Sequence, residues 1–99
     1  VALVTGDKDF FQLVDGDIAA QTLQVMRNLG EVLKAGGASF QDVVRSTIYL
    51  ADLADFAIVN EVYGRQFTPP APARATVQVA RLPRDARVEI DVVAYVGGR

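Results

Sequence analysis

Hydrophobic and polar positions follow two periods along this chain, and the switches between them mark its elements. Val1 to Thr5 is a short apolar run stopped by Gly6, which predicts a strand. The polar turn Asp7-Lys8-Asp9 leads into Phe10 to Val14, a second short strand closed by Asp15-Gly16, so the opening segment reads as a hairpin. From Ile18 the period lengthens. Ile18, Thr22, Val25, Met26, Leu29, Val32 and Leu33 form one apolar stripe at helical spacing, with Gln21, Gln24, Arg27, Asn28, Glu31 and Lys34 mostly opposite. Asp15 or Asp17 can cap this helix, and Gly36-Gly37 ends it with residues that tolerate left-handed geometry.

Ser39-Phe40-Gln41-Asp42 sets a hydroxyl three residues before an acid, a variant capping box that predicts a single helical turn. Val43 to Leu50 then reads as a strand. Val44, Ser46, Ile48 and Leu50 take one face, and Arg45, Thr47 and Tyr49 the other. A second helix follows, capped by Asp52 or Asp55. Phe56, Val59, Val62 or Tyr63, and Phe67 mark its buried side, with Asn60 at the edge of that stripe. Thr68-Pro69-Pro70-Ala71-Pro72 cannot continue a helix and delivers extended chain into Arg74. Between Pro72 and Tyr95 lie two β-branched strands joined by Leu82-Pro83-Arg84-Asp85-Ala86, and Gly97-Gly98-Arg99 closes the chain.

The order β(β)–α–β–α–β–β predicts an α+β fold in one domain, residues 1–99, with both helices on one face of the sheet. No third helix is available for the other face. Apolar residues make up 51% of the 99, so the natural cover is another copy of the chain. By alternation Arg74, Thr76 and Gln78 share one side of their strand, and Glu89, Asp91 and Tyr95 one side of theirs. Such mixed faces suit a wet cleft between subunits.

Composition narrows the chemistry. Cysteine and histidine are both absent, which removes thiol nucleophiles, zinc–thiolate sites and the commonest general base. No Walker loop, dinucleotide fingerprint or metal-ligand cluster occurs, so no cofactor is expected. A formal charge of −2 argues against a nucleic-acid partner, whose protein footprint is basic. No apolar run approaches the roughly 20 residues of a membrane span, and the default expectation is a cytoplasmic protein without a membrane partner. Two charges stand out. Arg74 opens one strand and Glu89 sits inside the next, where a charge needs solvent, a partner or a ligand.

The string Pro72-Ala73-Arg74-Ala75-Thr76-Val77-Gln78-Val79-Ala80-Arg81-Leu82-Pro83, followed by Val88-Glu89-Ile90-Asp91, resembles the signature of the Rid (YjgF) family of enamine/imine deaminases. So do Val43-Val44-Arg45-Ser46-Thr47, Tyr49-Leu50-Ala51-Asp52, Phe56, Val59-Asn60-Glu61-Val62-Tyr63, and Gly16-Asp17-Ile18 with Gln21-Thr22. The resemblance implies a chorismate-mutase-like mixed sheet with two helices on one face. It also implies homotrimers around a central barrel, with active sites in clefts between subunits. The implied reaction is hydrolysis of 2-imino acids, such as 2-iminobutanoate and 2-iminopropanoate, to 2-keto acids and ammonia. By position, Arg74 matches the arginine that grips the substrate carboxylate, and Glu89 the acid associated with the attacking water. Asn60, Thr76 and Gly6 match positions lining the pocket. A guanidinium fork suits a carboxylate, and one carboxylate can orient and deprotonate a water without a metal.

The chain also departs from the pattern. Family members carry further residues ahead of the position of Val1, with a first strand and a Gly-Pro-Tyr segment. They tend to have Ser-Gly-Gln at Thr5-Gly6-Asp7, a longer proline-containing loop before the Asp-Gly turn, and in some cases cysteine at Thr76. A non-catalytic ligand-binding or regulatory trimer is the rival reading. An endoribonuclease or translation inhibitor ranks below both, given the acidic balance and the lack of histidine.

Overall fold

Asp17 starts the first helix as a side-chain cap, its Oδ1 accepting from the backbone N–H of Ala20 at 2.9 Å. In the computed structural model, which describes residues 2–5 and 17–96, that helix is α1 (Ile18–Ala35). Its buried face is the one the spacing predicts, including Thr22, whose hydroxyl donates to the Ile18 carbonyl at 2.7 Å. Gly37, at φ +80°, turns the chain out of the helix while the Ala38 N–H donates back to the Leu33 carbonyl. The expected capping box is present: Ser39 Oγ accepts from Gln41 N–H, and Asp42 Oδ2 accepts from Ser39 N–H. Gly6, the second strand expected at Phe10–Val14, and Gly97 to Arg99 lie outside the described residues.

The other elements are β1 (Ala2–Thr5), β2 (Val43–Leu50), α2 (Phe56–Gly64), β3 (Ala73–Gln78) and β4 (Val88–Ala94). Of the two expected caps near α2, Asp52 accepts from Ala54 N–H and caps the short turn at Leu53–Asp55. Asp55 stands at the start of α2 without capping it. It instead takes both oxygens to Arg87 Nη2, at 3.0 and 3.1 Å, tying the head of α2 to the start of β4.

The strands form one mixed sheet in the order β1-β4-β2-β3. β1 and β2 each pair antiparallel with β4, whereas β2 and β3 run parallel with α2 as their crossover. The two strands read as neighbours across the Leu82–Ala86 turn are therefore not neighbours: β2 lies between β3 and β4. A second correction concerns the start of β2. A register shift between Val43 and Arg45 buries Val43 and leaves Val44 about half exposed.

Register assigns the faces. Ser46, Arg74 and Val92 stand abreast, as do Ile48, Thr76 and Ile90, then Leu50, Gln78 and Val88. These rows face the helices. Ile48, Leu50, Ile90 and Val92 are sealed there with Leu29, Leu33 and Val59. The alternate rows make the opposite face, with Arg45 and Val93, Thr47 and Asp91, and Tyr49, Val77 and Glu89 half-buried or exposed. Both helices thus cover one face and none of the described helices covers the other, as the element count predicts. Among the described residues no helix is long and apolar enough to cross a membrane.

Candidate active site

The site is built from an edge strand and one helix. Arg74 is the second residue of β3, delivered there by the proline-rich segment, and its row faces α2. On α2, Phe56, Asn60 and Tyr63 fall on one stripe, four and then three residues apart. All of them meet the arginine. Its Nη1 donates to Asn60 Oδ1, and its guanidinium carbon lies 5.6 Å from the ring centroid of Phe56 and 5.6 Å from that of Tyr63.

Tyr63 is itself anchored from below. Its hydroxyl donates to the buried Ser46 Oγ at 2.8 Å, and its ring packs on Phe67 at 4.7 Å. Burial pushes the phenol above its ordinary value of 10.0, against smaller downward pulls from the Ser46 hydrogen bond and the Arg74 charge. It stays a neutral donor. Beside these groups opens a cleft of about 470 Å³, lined by Asn60, Tyr63, Phe67, Pro69, Pro72 and Arg74 among others. A guanidinium at the rim of a cleft with an aromatic and proline wall can take an anion with a small apolar tail.

The structure brings Arg74 and Asn60 together and sets Thr76 two residues along β3 on the same face. The Thr76 hydroxyl is buried and makes no hydrogen bond among the described residues. Glu89 is elsewhere. It pairs with Tyr49, so it lies on the opposite face, roughly 10 Å across the sheet from Arg74 and roughly 10 Å further along it. With β2 between the strands that carry them, Arg74 and Glu89 of a single chain do not meet. Asp91 lies two residues along β4 from Glu89 on the same face. The Tyr49 hydroxyl faces Asp91 Oδ2 at 3.5 Å, and the Asp91 charge raises the Tyr49 phenol, with burial and Glu89 adding to it. No group of three or more acidic residues among those described is arranged to hold a metal ion.

The profile of the family described as Endoribonuclease L-PSP, which includes the Rid (YjgF) proteins, matches residues 4–96. The chain belongs to this family. Among curated Rid-family relatives it is 58% identical over 88 residues to protein DfrA of Myxococcus xanthus, covering 89% of this chain and 67% of that one. It is 50% identical over 86 residues to the 2-iminobutanoate/2-iminopropanoate deaminase of Mus musculus, covering 87% of this chain and 64% of that one. The chain thus spans about two thirds of the length of these relatives. Among solved structures, RidA from an Antarctic Psychrobacter superimposes with a TM-score of 0.83 at 40% identity, over 97% of this chain and 78% of that one. The α+β sheet with its two helices is the Rid fold.

Two features of the cleft are not evident from the sequence pattern. The apolar stripe of α2 offers Phe56, and Val62 or Tyr63, only as its buried side, although the four-and-three spacing through Asn60 puts Phe56, Asn60 and Tyr63 on one stripe. Alternation puts Ser46 on one face with Ile48 and Leu50, but nothing local pairs it with a tyrosine 17 residues on.

Proposed function

We propose that this chain hydrolyses reactive 2-imino acids, 2-iminobutanoate and 2-iminopropanoate among them, to the 2-keto acid and ammonia, as a homotrimer in the cytoplasm. The observation that carries the reading is the clamped Arg74 at the mouth of a small, mostly apolar cleft, in a chain half identical to a protein named for that reaction. Arg74 holds the substrate carboxylate through donors that Asn60 does not use. Water adds to C2 of the imine while Glu89 takes its proton. Glu89 returns that proton to nitrogen to give the carbinolamine, then carries the hydroxyl proton to nitrogen as the C–N bond breaks, so that ammonia leaves, C2 becomes a carbonyl and Glu89 is again a carboxylate. Thr76, with its unpartnered hydroxyl, and Gly6 line the pocket in this reading.

The placement of Glu89 supports a site shared between subunits. Arg74 of one chain and Glu89 of the same chain face opposite ways, so the working pair takes Arg74 from one subunit and Glu89 from its neighbour. That is what a ring closed through the uncovered sheet face supplies. If Glu89 never reaches the cleft, the rival reading of a non-catalytic binder follows. Imine generated in place by a serine/threonine dehydratase tests the choice. The intact full-length protein speeds keto-acid release, Arg74→Ala abolishes the acceleration while remaining folded, and Glu89→Gln slows it at least about a hundredfold. Keto acid bound by a parent protein that gives no acceleration over the uncatalysed rate would establish the binder instead.

A further inference from the structure

We infer that Phe56, Asn60 and Tyr63 act together as the positioning element that fixes the plane of the Arg74 guanidinium, with Ser46 as its footing. This rests on the deaminase reading for its purpose, but not for its geometry. An arginine side chain at an exposed sheet edge is free to sweep through many rotamers, and ordering it on ligand binding costs affinity. Here the ordering is done in advance. Two rings lie 5.6 Å from the guanidinium carbon, and an amide oxygen engages Nη1, all from one stripe of one helix. The helix cannot rotate that stripe away, because Val59 and Val62 beside it are buried and Tyr63 is bonded to Ser46 on the central strand β2. Among the described residues, Nη2 and Nε are left to a carboxylate. The pattern Phe-x3-Asn-x2-Tyr is thus a holder for an arginine, and Asn60 serves the substrate through Arg74 rather than by touching it.

A group that only holds the carboxylate anchor should alter binding more than turnover. In the full-length protein, Phe56→Leu removes one π-face while keeping an apolar side chain at a partly exposed position. Losing an exposed cation–π contact raises KM, and weakens 2-oxobutanoate binding by calorimetry, about two- to fivefold, with kcat nearly unchanged. Asn60→Ala behaves alike. Tyr63→Leu weakens binding similarly, and Tyr63→Phe, which restores the ring, recovers most of it. Side-chain nitrogen and carbon NMR of Arg74 gives a readout independent of activity. Its Nε–H and Cδ protons sit upfield of free arginine under the two rings, and shift back toward it in each Leu variant. Upfield signals in a protein without imine hydrolysis would uphold the holder and sink only the deaminase reading. Arg74 resonances at free-arginine positions in the parent, or a Phe56→Leu protein whose KM and keto-acid affinity are unchanged, would overturn the holder.

Discussion

Ser46 is a polar residue beside the sealed side chains of Ile48, Leu50, Ile90 and Val92 on the helix-covered face, and it is 1% exposed. Its hydroxyl is tolerable there because Tyr63 donates to it, and the tyrosine hydroxyl is tolerable because Ser46 accepts. Each partner makes the other's burial possible. Ser46→Ala strands a buried phenol and Tyr63→Phe strands a buried hydroxyl, so each single change lowers stability by about 1–3 kcal/mol. The double change removes both groups and costs less than the two singles combined. Denaturant unfolding of the four proteins reads this coupling directly, and strict additivity would mean that the bond contributes nothing. The sequence made Ser46 legible as buried, since its neighbours at two-residue spacing are apolar. Its partner was not legible, because a hydrogen bond between two elements leaves no trace in the period of either.

At the scale of elements, local periodicity carried α1 from cap to terminator, and the capping box at Ser39 as well. The adjacent glycines that end α1 are not equivalent. Gly36 has φ −88°, and a Cβ there would meet the Leu33 carbonyl oxygen no closer than 3.6 Å, an ordinary contact. Gly37 has φ +80° with open space around it, so the obstacle is the backbone alone. Gly37→Ala therefore costs about 1 kcal/mol, and Gly36→Ala stays within about half that of the parent by thermal unfolding. Equal effects would show that the helix end re-forms around either alanine. Strand neighbours were less legible than helix ends. Two strands separated by a short turn invite pairing with each other, yet β3 joins the sheet beside β2 and leaves β2 between itself and β4. The signal lay in the connection: a strand, a helix and a strand favour a parallel crossover over a hairpin. The shift at Val43 was hidden for another reason. A bulge changes which residues face inward without changing the pattern before it, so Val44 reads as core and is about half exposed.

At the scale of the molecule, the sheet separates the two charges the sequence singled out, and the separation makes a sharp demand on assembly. Arg74 faces α2 from the edge strand, while Glu89 sits on the uncovered face beside Tyr49 and Asp91. A site using both must draw them from different chains, and a closed ring supplies one such junction for every subunit. Mixing two inactive proteins tests this without a ligand-bound structure. Arg74→Ala chains still offer Glu89, and Glu89→Gln chains still offer Arg74. Unfolded together in equal amounts and refolded, they assort at random, and about a quarter of the junctions receive an intact arginine from one side and an intact glutamate from the other. The mixture then recovers about a quarter of the parent's rate, whereas each variant refolded alone recovers none. A mixture as inactive as its components would place both residues of the working site in one chain, against the geometry of this sheet. A mass corresponding to a monomer at micromolar concentration would remove the junction altogether.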